Sequence, residues 1–222
     1  MSPWVLIPAK ALHLGKRRLS SALSDAARHA LNRHLLLKTV ETARRFAGVE
    51  RTAVISESEA VLRLASRCGV KTIRQTRAPG LNHAAAEGVA ELSRAGATRM
   101  LLLPVDLPQV RVEDLEEIVA ADPRGGSVTI CPDRHRRGTN AMVVPAFPAV
   151  RFCFGADSFA RHVCEVLRVA LTPVVHVNAR VGNDVDTVDD LAAWLDGLPD
   201  GEMLRTEFGR RIGRLAGALP RP

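Results

Sequence analysis

Residues 99–108 read Arg99-Met100-Leu101-Leu102-Leu103-Pro104-Val105-Asp106-Leu107-Pro108. The Met100-Leu101-Leu102-Leu103 run is the most apolar strand candidate in the chain. A run apolar at every position predicts a strand covered on both faces. Proline ends it, and the carboxylate of Asp106 follows in the loop. Strand-like runs recur on either side, at Trp4-Val5-Leu6-Ile7-Pro8, Thr52-Ala53-Val54-Ile55-Ser56, Val70-Lys71-Thr72-Ile73 and residues 127–131, 141–144 and 174–177. Helical periodicity fills the gaps. It starts after Ser24 as an N-cap and continues through Leu31, Leu35, Val40 and Ala43. It returns at 59–68, ended by Gly69, and at 82–95, closed by Gly96. Residues 112–121, 158–170 and 188–195 complete the set. Phe152-Cys153-Phe154 reads as a short strand or extended piece.

Strands alternating with helices predict an α/β fold. Its sheet is mostly parallel with helices on both faces, and the Met100 strand lies near the middle. No internal repeat or low-complexity linker breaks the pattern. Residues 1–198 are therefore read as one domain, and the Gly- and Arg-rich residues 199–222 as a loosely packed basic appendix.

Composition narrows the function classes. The chain has 222 residues, 46% hydrophobic and 25% charged, enough for an ordinary core without staples. The four cysteines, Cys68, Cys131, Cys153 and Cys164, form no CxxC pair and are expected as buried free thiols in a reducing compartment. No apolar run approaches a membrane span, and the N-terminus lacks the form of a signal peptide, so a cytoplasmic location is expected. The net charge of +7 favours anionic partners. Aromatic residues are only 4%, with no tyrosine, which argues against a single-stranded nucleic-acid platform.

In open α/β sheets, ligands bind at the carboxyl ends of the strands. Those ends carry Lys10, Lys16, Arg17 and Arg18 after the first strand and Asp106 after the central one. Gly138-Thr139-Asn140, Gly155, Ser158, Asp184 and Asp186 come from the later loops. Cations that neutralise phosphates, beside carboxylates that hold Mg²⁺, suit phosphoryl chemistry. Each element also has a plainer use. Asp106 could cap the helix after Pro108 or sit in a turn. Asp184 and Asp186 could cap the 188–195 helix, although Thr187 or Asp189 could do so instead. Lys16-Arg17-Arg18 could be a solvated run and Gly138-Thr139-Asn140 a turn. Gly155 to Ser158 could be a turn and a cap, or a phosphate cradle at a helix start. The seven histidines show no ligand spacing and read as surface or core-edge groups.

Read in order, these segments resemble a known family. Pro8-Ala9-Lys10 with Gly15-Lys16-Arg17-Arg18-Leu19 resembles its PxK…AKSRL opening, and Gly80-Leu81-Asn82 its GLN segment. Pro104-Val105-Asp106-Leu107-Pro108 resembles PADLP. Pro132-Asp133-Arg134 followed by Gly138-Thr139-Asn140-Ala141 resembles PDxxxGGTNAL. Phe154-Gly155-Ala156-Asp157-Ser158-Phe159 with His162 resembles FGxxSFxxH, and Asp184-Val185-Asp186-Thr187 with Asp189-Asp190-Leu191 resembles DVDTPEDL. The family is that of the 2-phospho-L-lactate and phosphoenolpyruvate guanylyltransferases, and the likeness spans residues 4 to 195.

The resemblance implies a nucleotide-diphospho-sugar transferase-like fold, of the GT-A-type Rossmann-like class. It implies transfer from GTP to a phosphorylated three-carbon acid, with release of pyrophosphate. The product would pass to a deazaflavin-conjugating transferase that builds coenzyme F-420. Asp106, Asp184 and Asp186 are then expected to bind Mg²⁺. Lys16 and Arg18 would act with Asp106 in catalysis. Lys10, Lys16, Leu81 and Asn82 would hold the nucleotide, and Thr139, Asn140, Gly155 and Ser158 the acid. A homodimer is the default for such enzymes.

Two departures stand out. Arg137 replaces the first glycine of the family's pair before Thr-Asn, and Arg17 replaces its serine between lysine and arginine. Both add positive charge where the acid is expected, which points to 3-phospho-D-glycerate as a rival acceptor. Competing classes are a transferase acting on sugar phosphates or the molybdenum cofactor, and a non-enzymatic anion- or RNA-binding α/β domain.

Overall fold

The computed structural model describes residues 3–122 and 126–198. The basic appendix expected at 199–222 lies outside the described residues. Seven strands form one sheet: β1 (Trp4–Pro8), β2 (Thr52–Ser56), β3 (Lys71–Arg74), β4 (Arg99–Leu102), β5 (Ser127–Pro132), β6 (Thr139–Pro145) and β7 (Thr172–Val175). Their order is β3-β2-β1-β4-β6-β5-β7. β6 runs antiparallel to both of its neighbours, and every other adjacent pair is parallel. The order reverses at β1, with β2 on one side and β4 on the other. A crevice therefore opens where the chain leaves the carboxyl ends of β1 and β4, the place where open α/β sheets bind ligands.

Covering on both faces explains the continuous apolar runs. Val5 and Ile7 of β1, with Leu101 and Leu103 from β4 and its end, pack on one face against Leu36 and Val40 of α1 (Asp25–Ala47). Val61 of α2 (Glu59–Arg67) and Leu115 of α4 (Val112–Ala120) join them. The alternate residues Leu6, Met100 and Leu102 pack on the other face. There they meet Ala85 and Leu92 of α3 (Leu81–Arg94) and Val166 of α5 (Ser158–Arg168). β4 is the fourth strand of the seven, as its apolarity predicted. A third cluster joins α1 through Leu31 and Leu35 to Leu19, Val185 and Trp194 of α7 (Val188–Asp196). Among the described residues, no helix is long and apolar enough to cross a membrane.

The structure departs from the sequence reading at several elements. β6 begins at Thr139, two residues before the predicted 141–144 run. The reason is Asp133, whose carboxylate accepts from the amides of His135, Arg137 and Gly138. It gathers the basic loop into a compact turn, so pairing begins at once, Pro132 to Thr139. Phe152-Cys153-Phe154 stays extended but joins no strand. A short helix, α6 (Ala179–Gly182), capped by the Asn178 side chain, occupies part of the gap between the predicted 174–177 strand and the 188–195 helix. Of the four free cysteines, Cys131 and Cys153 are buried as expected, whereas Cys164 is exposed.

Gly88 lets α3 lie directly on β1. A Cβ there would stand 2.6 Å from Leu6 Cδ2, inside the core. Gly88→Val is therefore expected to lower unfolding stability by about 1–3 kcal/mol through overpacking. Urea denaturation checks this, and an unchanged midpoint would contradict the close approach.

Candidate active site

The site grows from a loop that leaves β1 and is held down at several points. Asn32 on α1 is buried, and its Nδ2 donates to the Leu12 carbonyl at 2.7 Å. The same side chain lies against Gly15, where a Cβ would come within 2.6 Å of it. The next residue, Lys16, adopts a left-handed conformation, φ 55°. Such backbone costs energy outside glycine and persists only where neighbours enforce it. A single 3₁₀ turn at Arg17–Leu19 follows, anchored by the fully buried Leu19. Together these features turn the Lys16 side chain inward, where it is only 7% exposed.

Its ammonium meets two carboxylates. Lys16 Nζ donates to Asp186 Oδ1 at 2.8 Å and stands 3.6 Å from Asp106 Oδ2. Burial disfavours the charged ammonium, but Asp106 and Asp186, with Asp184 behind them, outweigh it and hold the Lys16 pKa above the ordinary lysine value. Asp184 is pushed up, by burial first and by the neighbouring Asp106 and Asp186 charges, against a hydrogen bond from Asn140 Nδ2 at 3.3 Å. The backbone also ties the two segments, since Val185 N donates to the Asp106 carbonyl at 3.0 Å. Val185 is buried in the third cluster, and Asp184 and Asp186 flank it.

The aspartates do not take the capping uses, although Asp106 does sit in a turn. Helix α4 is capped at Arg111, whose amide donates to Asp114, so Asp106 caps nothing. Helix α7 is capped by Thr187 in a reciprocal box with Asp190. Asp190 Oδ2 accepts from the amides of Asp186 and Thr187, while Oδ1 takes Arg134 at 2.5 Å. These hydrogen bonds outweigh its burial and draw the Asp190 pKa down to about 2. Asp186 is thereby left for the crevice, whereas Asp184 does not line it and accepts from Asn140.

Lys10, Lys16, Arg18, Leu81, Asp106 and Asp186 line one cavity of about 380 Å³ over the ends of β1 to β4, and Arg17 lines it too. The residues expected to bind the acid form a neighbouring polar cluster instead. Ser158 is buried, and its Oγ accepts from Thr139 N at 2.9 Å rather than capping α5. Asn140 donates to the Val181 carbonyl at 2.9 Å as well as to Asp184. Gly155 is exposed with φ 121° just before α5, and a Cβ there would touch nothing. Asn82 does not line the cavity. Its Oδ1 accepts from Phe154 N at 2.7 Å and its Nδ2 donates to the Phe154 carbonyl, which staples the GLN segment to the Phe154-Gly155 segment. Arg137 is exposed, and its Nε lies 3.5 Å from Asp157 Oδ1.

Sequence reasoning assigned no role to His162, which is completely buried. Its Nε2 accepts from Cys153 N at 2.8 Å, so the proton sits on Nδ1, which donates to Thr139 Oγ1 at 2.9 Å. The Thr139 hydroxyl hydrogen is left to donate elsewhere. The only signal in the sequence was the last position of FGxxSFxxH. Asp114 was missed too. Fully buried, it takes Arg180 through Nε and Nη2 and also Asn178, which fastens α4 to the segment leading into Asp184.

Residues 3–212 match the family model described as "Guanylyl transferase CofC like". The chain belongs to that family. A phosphoenolpyruvate guanylyltransferase from Rubrobacter xylanophilus is 35% identical over 86% of this chain and 93% of its own length. A 3-phospho-D-glycerate guanylyltransferase from Phenylobacterium zucineum is 30% identical over 92% and 90%, and a 2-phospho-L-lactate guanylyltransferase from Methanobrevibacter smithii 26% over 84% and 80%. Among solved structures, a protein from Desulfovibrio desulfuricans G20 assigned to the nucleotide-diphospho-sugar transferases superposes with a TM-score of 0.76. It covers 98% of both chains at 18% identity. The fold expected from the resemblance is therefore the one observed in this CofC-like chain.

Burial, with Arg161 adding to it, lowers the His162 pKa to about 4. An unfolded histidine titrates near ~6.5. Below that pH the unfolded chain gains a proton that the folded chain refuses until about pH 4. The His162 contribution to stability is thus complete above pH ~6.5 and is lost as pH falls from there. An NMR titration of the imidazole should find it neutral throughout the neutral range. A midpoint near ~6.5 would show a solvated ring and contradict the network.

Proposed function

We propose that this chain transfers a guanylyl group from GTP to the phosphate of a three-carbon phospho-acid, for coenzyme F-420 assembly. A phosphate oxygen of the acid attacks the α-phosphorus of GTP. A new P–O–P linkage forms, the bond between the α-phosphorus and its bridging oxygen breaks, and pyrophosphate departs with that bond's electron pair. The acid phosphate is already anionic near neutral pH, so no general base is required. Alignment and charge stabilisation carry the rate. Lys10, Lys16 and Arg18 face the triphosphate and the leaving pyrophosphate. Thr139, Gly155 and Ser158, in the polar cluster beside the cavity, are the side assigned to the acid, with Ser158 holding the Thr139 amide and Asn140 reaching Asp184.

The observation that carries this reading is the Lys16 ammonium held between Asp106 and Asp186 at the mouth of the β1/β4 crevice. The ammonium stands beside a cation-lined cavity of about 380 Å³. The donor set fits Mg²⁺, because Asp106, Asp184 and Asp186 offer only hard oxygen ligands. Among the described residues, no three acidic, histidine or cysteine groups stand together so as to hold a metal ion by themselves. That suits magnesium, which takes one or two carboxylates and completes its shell with substrate phosphates and water. Bound there, it would supply charge stabilisation to the reacting phosphates.

Phosphoenolpyruvate is the acceptor to test first, because the Rubrobacter relative carries that name at 35% identity. 3-Phospho-D-glycerate is the second reading, favoured by the exposed Arg137 and by the Phenylobacterium relative. An RNA-binding role finds no support in the basic loop, where Arg134 is spent on Asp190 and the backbone wraps Asp133.

Incubation with GTP, Mg²⁺ and each acid should release pyrophosphate with at least one of the three, and none with any acid would overturn the proposal. Asp106→Asn should lower that release by at least about 100-fold while leaving the unfolding transition in place. Near-normal turnover in the variant would remove Asp106 from the site. Arg137→Gly should shift relative kcat/KM among the acids, and an unchanged acid ranking would show that Arg137 takes no part in the choice.

A further inference from the structure

The cavity extends well beyond the aspartates. Along the sheet edge the strands run β3, β2, β1, β4, so the residues after them run Gln75, Glu57, Lys10 and Asp106. Glu57 and Gln75 line the same cavity as Asp106. At the usual strand spacing Glu57 stands two strands, about 10 Å, from the Asp106 position. A nucleotide with its phosphates at Lys10 and Lys16 therefore lays its base towards Glu57. The walls there are apolar and small, with Ala11 from the β1 loop and Ala84 of α3, which suits a flat ring.

We propose that Glu57 reads the guanine base, its carboxylate accepting from N1–H and the 2-amino group; this rests on the guanylyl-transfer reading above. Glu57 Oε1 accepts from Ala11 N at 3.2 Å, which orients the carboxylate over the cavity. Among the described residues, no hydrogen bond or ion pair takes Oε2. Gln75 is buried, and one hydrogen of its Nε2 goes to the Ala78 carbonyl at 2.9 Å. Glu57 thus presents an acceptor-only group at this end of the cavity. Guanine is the common base with two adjacent donors on its pairing edge. Adenine and cytosine turn a ring nitrogen acceptor towards the carboxylate, which repels it, and uracil offers one donor between two carbonyls. A carboxylate that stays unpaired against the wrong base rejects it strongly.

Glu57→Gln tests this with little disturbance, because the amide oxygen can still accept from Ala11 N while the other atom becomes a donor. Binding of GTP, ITP (which lacks the 2-amino group) and ATP is measured by calorimetry with Mg²⁺ and no acid. The native chain is expected to prefer GTP over both. The variant should lose GTP affinity on the order of 10- to 100-fold. ITP should lose less, and ATP none. An unchanged GTP-to-ITP ratio would overturn the inference. So would equal weakening of all three nucleotides, which would mean that Glu57 only shapes the loop. The transfer reading fails separately, by absence of pyrophosphate release from the native chain. A Glu57-dependent preference for GTP would still support base reading in that case.

Discussion

Lys16 and Asp186 are 170 residues apart in sequence and 2.8 Å apart in space. Their ion pair, with Asp106 at 3.6 Å from the same ammonium, is where the chain's distant segments meet. An exposed pair of this kind contributes little to stability. Here the lysine is nearly covered, so its charge depends on the carboxylates beside it, and Asp186 still pairs it if Asp106 is lost. The left-handed turn at Lys16, the Asn32 clamp on Leu12 and the buried Leu19 are what this arrangement requires on one side. Val185 in the third cluster and its hydrogen bond to Asp106 are what it requires on the other. Like charges at Asp106, Asp184 and Asp186 would repel without a cation among them. The lysine therefore lets the carboxylates be assembled before any substrate arrives.

Around that centre the sheet edge works as a ruler. Because β1 has β2 on one side and β4 on the other, the residues after each strand fall in line at fixed spacing. Glu57 stands after β2, Gln75 after β3, cations after β1 and Asp106 after β4, with hydroxyls and amides where β6 begins. β6 matters because it runs the other way. Its first residues, Thr139 and Asn140, arrive at the same edge as the ends of β4 and β5. A parallel strand would have brought its last residues there instead.

Several polar side chains hold this line in place without meeting the cavity. Asn82 staples Phe154, His162 joins Cys153 to Thr139, Asp114 grips Arg180, and Asp190 locks Arg134 and the α7 cap. Each is a buried or half-buried polar group whose hydrogen bonds are satisfied by a segment far away in sequence. Such groups become costly if either partner is lost. This division separates residues that line the cavity from residues that fix their geometry, and the motifs contain both kinds.

The sequence by itself determined most of the fold. Apolar runs at Val5-Leu6-Ile7 and Met100-Leu101-Leu102-Leu103 demand two covered faces, and the Ser24, Gly69 and Gly96 signals mark helix limits through local backbone chemistry. It also placed Asp106, Asp184 and Asp186 at one edge, because strand ends and their loops can be read from local pattern. It erred where a distant partner decided the outcome. β6 starts early because Asp133 gathers a loop, α6 forms where Asn178 caps it, and Ser158 turns from its helix to Thr139. Only the tertiary structure could take the capping role from Asp184 and Asp186, since Thr187 and Asp190 had to be seen filling it. Only it could move Asn82 from nucleotide contact to staple, bury His162 as a neutral connector, and set Glu57 in the cavity. The physical reason is the same in each case. Local pattern reports what a segment prefers alone, whereas a polar side chain's role is set by the partner it meets across the fold.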